Sequence, residues 1–200
     1  LTLIDQRGKV QRAFDTGPAN MLIDLFVSQL SKDKMTYDKN GAWAAKGKPC
    51  VEVIKKIISE HEYFQKAPPK SCGREEFGEE FLKRFLKLLK GKSKQDLLAT
   101  VTDLTAQSIA HAYHQHLKSP PQKIILCGGG AKNKYLVSRI RFHLPKIEVI
   151  TTLALGWPVE AIEGGAFALL AAYRVWNLPA NIPETTGAKR AVRLGKIVEL

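Results

Sequence analysis

The chain has 200 residues, enough for one buried core of ordinary domain size or slightly more. Its 44% hydrophobic and 25% charged residues exclude disordered and fibrous classes. Lys and Arg exceed Asp and Glu by 31 − 19 = 12, an excess that draws anions such as nucleotides and acidic sugars; interleaved acids at Glu75, Glu76, Glu79 and Glu80 make most of it solvated surface.

In chain order, Leu1 to Ile4 and Val10 to Phe14 read as short strands joined by the turn Asp5-Gln6-Arg7-Gly8. The turn Asp15-Thr16-Gly17-Pro18 leads to a helix from about Asn20, a candidate N-cap, with Met21, Leu22, Leu25, Phe26 and Leu30 on one face. A second helix starts near Pro49 and buries Val51, Ile54, Ile57 and Ile58. Gln65 to Gly73, with Pro68-Pro69, is a loop, and Phe77, Phe81, Leu82, Phe85, Leu88 and Leu89 recur at helical spacing after it. Ser93 and Asp96 make a capping signature for the longest helix, with a stripe of Leu97, Val101, Leu104, Ile109, Ala112 and Leu117. Past Pro120-Pro121 the pattern alternates: strand Lys123–Cys127, helix Asn133–Leu144, strand Ile147–Thr152, helix Pro158–Trp176. That alternation predicts an α/β fold with a parallel or mixed sheet covered by helices.

Cys50, Cys72 and Cys127 are scattered and form no Cys-x-x-Cys pair, which fits reduced cytoplasmic thiols better than disulfides or a zinc site. No run approaches the roughly 18 apolar residues of a membrane helix. Leu1 to Lys9 is charged where a signal peptide is apolar, and the first residue is not Met, so a cut N-terminus is expected.

Three segments carry candidate chemistry. Cys127-Gly128-Gly129-Gly130-Ala131-Lys132-Asn133 lies between a strand and a helix, where α/β sheets bind ligands and backbone N–H groups approach anions. A ligand-free tight turn competes with that reading, and a dinucleotide site fits poorly because Asn133 stands where the third glycine belongs. Asp15, in Phe14-Asp15-Thr16-Gly17-Pro18-Ala19-Asn20, is a strand-end carboxylate suited to a general base or to holding a metal. An Asx turn is the competing reading there. In Glu160 to Ala168, Gly164-Gly165 inside a helix costs about 1 kcal/mol per glycine, which a close approach of backbone or ligand would justify. Glu163 beside them is either a hydroxyl-binding group or a solvated carboxylate. His111, His114 and His116 lack companions for a metal set. The lysine-edged helix from Phe81 to Lys90 reads as core-facing.

In combination the motifs resemble the anhydro-N-acetylmuramic acid kinase family. Phe14-Asp15-Thr16-Gly17-Pro18-x-Asn20-x-Leu22-x-Asp24 is similar to the segment holding that family's catalytic aspartate. Pro68 to Glu75, Ala99 to Ala106, Cys127 to Asn133, Glu163 to Ala168 and Thr186-Gly187-Ala188 resemble further family segments in the same order. Ala19 departs from a usual glycine, Cys72 from a usual threonine, and Gly164-Gly165 from bulkier residues. The resemblance implies an actin-like, RNase-H-like sugar kinase lobe, a mixed sheet with flanking helices, in which residues 1–200 form the C-terminal half of a two-lobed enzyme. It implies ATP and Mg²⁺, phosphorylation of O6 of 1,6-anhydro-N-acetylmuramic acid with hydrolytic opening of the anhydro ring, and a cytoplasmic role in cell-wall recycling. It casts Asp15 as catalytic base, Thr16, Gly17, Asn20 and Glu163 as sugar-binding, and Gly128, Gly129, Gly130 and Asn133 as nucleotide-binding, with no metal ligand assigned. The expected partners are an amino sugar and ATP, not nucleic acid or membrane, and a homodimer stays open.

The family's N-terminal phosphate loop is not found in this sequence, so the chain is expected to be inactive alone. Another sugar or acid kinase of the same superfamily is the alternative enzyme. A basic nucleic-acid module is the alternative of a different class, and it would show strongly salt-dependent binding to generic strands.

Overall fold

The structure, a computed structural model, describes residues 1–198. Its centre is α6 (Lys94–His116). Ser93 starts it, its Oγ accepting the Asp96 N–H at 3.1 Å as the capping signature predicted. The single expected stripe is not what the structure has: every residue from Leu97 to Ala106 is buried. Small side chains make this workable, because Ala, Thr and Ser let neighbours approach on all sides. The buried hydroxyls need no outside partner, since Thr102 Oγ1 donates to the Leu98 carbonyl at 2.8 Å and Ser108 Oγ to the Thr105 carbonyl at 2.9 Å.

Around α6 stand α1 (Ala19–Ser31), α2 (Val51–Glu60) and α7 (Lys134–His143). The short α3 (Glu62–Gln65) packs on α2, and α4 (Arg74–Phe77) and α5 (Glu79–Leu88) pack on α1. Phe64, Phe77, Phe81 and Phe85 join these pieces through a run of ring contacts at 5.1 to 5.8 Å. Phe81, Leu82 and Phe85 are buried while Leu88 is exposed, so α5 faces the core as its periodicity implied.

One charged cluster crosses this core. Asp103 of α6 is fully buried, and its Oδ1 takes both Arg139 Nε and His143 Nε2 of α7 at 2.7 Å. Gln107 Nε2 donates to Oδ2 at 3.2 Å. Burial pushes the carboxyl up, but the hydrogen bonds and charges of His143 and Arg139 outweigh it and hold Asp103 below the usual range.

The strands form two separate pairs rather than one mixed sheet. β1 (Thr2–Ile4) and β2 (Val10–Ala13) are antiparallel, with an irregularity between Leu3 and Ile4. β3 (Lys123–Leu126) and β4 (Glu148–Thr151) are parallel, in register from Lys123 opposite Glu148 to Leu126 opposite Thr151. Each pair is short, has no third strand among the described residues, and leans on a helix: α7 on β4, and α9 (Pro183–Thr186) on β2. Two strands alone are marginal in water, which is why each pair needs that support. The chain is α/β, with small sheets of both pairing senses.

The last long helix, α8 (Ala161–Val175), buries none of its residues; Phe167 is 66%, Leu169 51% and Val175 71% exposed. No backbone approaches Gly164-Gly165 among the described residues: a Cβ on Gly164 would meet nothing within 4 Å and one on Gly165 only the Trp157 ring at 3.8 Å. No described helix is long and apolar enough to cross a membrane.

Asp103→Asn leaves Arg139 without its charge partner inside the core. We expect it to lower unfolding free energy by about 3 kcal/mol, read as a fall in the urea midpoint at pH 7.

Candidate active site

β2 delivers the chain into the loop from Phe14 to Pro18, and this loop is held from several directions. The Asp15 N–H donates to the Lys70 carbonyl at 3.0 Å, and the Asp15 carbonyl accepts the Tyr63 hydroxyl at 2.9 Å. Its side chain is exposed, with Oδ2 accepting the Cys72 N–H at 3.1 Å. The Asx-turn alternative fails on this geometry, because the carboxylate is bound by a segment far along the chain and not by its own turn. Oδ1 has no partner among the described residues. Burial raises the Tyr63 hydroxyl and the Cys72 thiol, so both stay protonated donors, the thiol to the Gly17 carbonyl at 3.3 Å.

Gly17 presses the loop onto the core. A Cβ there would lie 2.7 Å from Ser108 Oγ and 3.2 Å from Phe64 Cε1, so a larger residue would force the Ser108 and Phe64 side chains to shift. Thr105 Oγ1 then donates to the Ala19 carbonyl at 3.2 Å. Ala19 itself has φ +48°, a left-handed conformation that costs an alanine about 1 kcal/mol. The Asp15 carboxylate opens into a groove of about 540 Å³ shared with Lys70, Ser71, Thr185 and Thr186.

Asn20 is not the N-cap expected of it. Pro18 occupies that position without a side-chain bond, because Ala19 already enters the helix. The Asn20 amide is used elsewhere: it faces the glycine bend, where a Cβ on Gly130 would lie 3.0 Å from its Oδ1. The bend runs from Gly128, φ +72°, whose N–H donates to the Val159 carbonyl at 2.8 Å, through a 3₁₀ turn at Gly129–Lys132. Asn133 caps α7, its Oδ1 accepting the Leu136 N–H at 2.9 Å. The bend is thus a well-made turn, yet its outer face is open: a Cβ on Gly128 meets nothing within 4 Å and one on Gly129 only Asn20 at 3.5 Å.

A cavity of about 630 Å³ lies against that face, lined by Asn20, Asp24, Lys39, Gly129, Lys132 and Asn133 among others. Lys132 pairs with Glu160, and Asp38, also on the wall, spends both oxygens on the N–H groups of Trp43 and Ala44 at 2.9 Å. Asp24 has no such partner among the described residues, and burial alone pushes its carboxyl up to about 6. The strand ends adjoin, the Leu1 nitrogen donating to the Phe14 carbonyl at 2.7 Å.

The start of α1 thus brings Asn20 to Gly129 and Gly130, with Asn133 on the same cavity wall, while Asp15 lines a separate groove and Thr16 and Gly17 line neither space. Glu163 does not join them; it is exposed in the first turn of α8 and lines neither space. His111 and His116 are kept below the usual histidine range chiefly by burial, and no metal-holding group of three or more His, Cys, Asp or Glu occurs among the described residues. Tyr63 and the Asp103 cluster were not singled out by sequence reading, and Asp24 entered only as the last residue of the Phe14–Asp24 motif; an Asp as the one charge in the run Leu97–Ala110 was the available signal for Asp103.

The family described as anhydro-N-acetylmuramic acid kinase matches residues 3–199. The chain belongs to this family. Relatives bearing the name anhydro-N-acetylmuramic acid kinase include proteins of Microcystis aeruginosa, 48% identical across 92% of this chain and 49% of that protein, and Rippkaea orientalis, 44% identical across 93% and 49%. A relative from Cyanothece is 43% identical across 98% of this chain and 52% of its own length. The chain spans about half the length of the curated relatives it matches. Of the segments that resemble the kinase family, the loops at 68–75 and 186–188 border the Asp15 groove, 127–133 forms the glycine bend, and 99–106 lies beneath the loop.

Two expectations follow. Ala19→Gly relieves the left-handed alanine and should raise stability by about 1 kcal/mol in chemical denaturation. Asp24 binds its proton more tightly folded than unfolded, so ionising it costs stability as pH rises from about 4 towards 6. Asp24→Asn should therefore melt above the parent at pH 7.5, with the gap closing below about pH 4 in scanning calorimetry.

Proposed function

We propose that this chain is the C-terminal, actin-like lobe of a sugar kinase that phosphorylates O6 of 1,6-anhydro-N-acetylmuramic acid while water opens the anhydro ring. The product is N-acetylmuramic acid 6-phosphate. One observation supports the reading: Asp15 stands at a strand end with one oxygen fixed by the Cys72 N–H and the other without a partner among the described residues, on the loop that leads into α1, whose Asn20 meets the open glycine bend. A fixed carboxylate with a free oxygen can take the proton that water must lose as it attacks the anomeric carbon. O6, released as its bond to that carbon breaks, then becomes the nucleophile for phosphoryl transfer. Positioning and charge stabilisation dominate such a transfer, so a rigid base is worth the several contacts that hold its loop.

In this reading Thr16, Gly17 and Asn20 border the sugar, and Gly128, Gly129, Gly130 and Asn133 border the nucleotide. Glu163 enters through the family motif alone. ATP supplies the phosphoryl group when bound. Mg²⁺ belongs to the reading as the usual companion of ATP, but the described residues contain no cluster of His, Cys, Asp or Glu to cage it. The setting is the cytoplasm, with no nucleic-acid or membrane partner, and the bare apolar side of α8 is where the remaining lobe would rest.

The test uses the full-length protein in ¹⁸O-water. The expected result is phosphorylated product carrying label at the anomeric carbon, with Asp15→Asn losing about 10³-fold or more in kcat and keeping its ATP affinity. Phosphorylation without label would remove the ring-opening chemistry, and an active Asp15→Asn would remove the base.

A further inference from the structure

We propose that Asp24 is a specificity-determining residue for the nucleotide, its carboxylate accepting hydrogen bonds from the ribose hydroxyls of the bound nucleoside. The inference rests on the reading that the glycine bend holds a nucleotide. Asp24 lies one helical turn after Asn20, so the two share a face of α1, and Asn20 already touches Gly130. That face is a wall of the 630 Å³ cavity, a volume within the usual range for small-molecule sites.

Thr36, Tyr37, Lys39 and Asn40 also face the cavity without a side-chain partner among the described residues, but Asp24 is the unpaired carboxylate on the wall. Asp38 is consumed by two backbone N–H groups, the Asn133 Oδ1 by the α7 cap, and Lys132 by Glu160. Asp24 is half-buried and spends neither oxygen on a donor among the described residues. Nor does the core need it, because Leu22, Ile23, Phe26 and Val27 carry the packing of α1. A neutral residue would make the empty protein more stable. A charge kept at a cost, beside an open cavity, is the pattern of a group whose partner is a ligand.

An ionised carboxylate only accepts, so that ligand must present donors. A nucleotide divides its chemistry in the way this cavity does. Its phosphates suit backbone N–H groups at the glycine bend, and a vicinal diol offers two O–H donors to two free carboxylate oxygens.

The experiment measures equilibrium binding by calorimetry in the full-length protein, with ATP and 2′,3′-dideoxy-ATP, for the parent, Asp24→Ala, Asp24→Asn and Gly129→Val. Asp24→Ala should weaken ATP by about tenfold or more, and parent and variant should bind the dideoxy nucleotide alike. Asp24→Asn, whose fold is not at risk, should also weaken ATP, which separates recognition from stability. Gly129→Val fills the open bend, where a Cβ meets only Asn20 at 3.5 Å, and should weaken both nucleotides. ATP affinity unchanged in both Asp24 variants but lost in Gly129→Val would overturn the role of Asp24 and leave the nucleotide site standing. A penalty in Asp24→Ala that persists with the dideoxy nucleotide would also overturn it, the carboxylate then meeting the base. ATP affinity unchanged in all three variants would overturn the nucleotide site itself.

Discussion

The seating of one loop on one helix governs this structure. Residues 14–18 cross α6 where Gly17 meets Ser108, so closely that a side chain at Gly17 would push Ser108 and Phe64 aside. Once the loop is seated, the Tyr63 hydroxyl, the Cys72 N–H and the Lys70 carbonyl reach it from the far side, and Thr105 takes the Ala19 carbonyl from below. The Asp15 carboxylate is thus positioned by contacts to the backbone around it more than by contacts of its own. A left-handed alanine is retained in the process, and the contacts on both sides of it over-determine that conformation.

The same loop sets the direction of α1, and α1 sets the geometry of the glycine bend. Asn20 leaves the helix start towards Gly130, so two motifs more than a hundred residues apart share a boundary. Two carboxylates near this arrangement show opposite electrostatic solutions. Asp103, deeper, is matched by Arg139 and His143 and ties α6 to α7. Asp24, shallower, is matched by nothing in the described chain. The first stabilises the scaffold, and the second lines a space the scaffold leaves open.

Local signals in the sequence were reliable where the physics is local. Ser93 caps α6, the Phe81 and Phe85 spacing points inward, and the β/α alternation after Pro121 is real. Asn20 failed as a cap because the helix starts at Ala19, with Pro18 in the cap position two residues before Asn20. The stripe on α6 failed because Ala and Thr are compatible with burial on every side, so periodicity carried little information. Asp15 was legible through its strand-end position and its motif, but the groups that fix it, Tyr63 and Cys72, lie far along the chain and carry no spacing signal. The ion cluster on Asp103 and the open cavity beside Asp24 depend likewise on non-local approach.

α8 gives the chain an unusual thermodynamic character. Every apolar group it leaves wet withholds a transfer free energy of roughly 25 cal/mol per Å² from the folded state. Anything that settles on that surface returns part of this energy to the native side of the unfolding equilibrium, in proportion to the logarithm of its concentration. The melting point of this chain is consequently a property of the mixture it is dissolved in, and no single value belongs to the sequence alone.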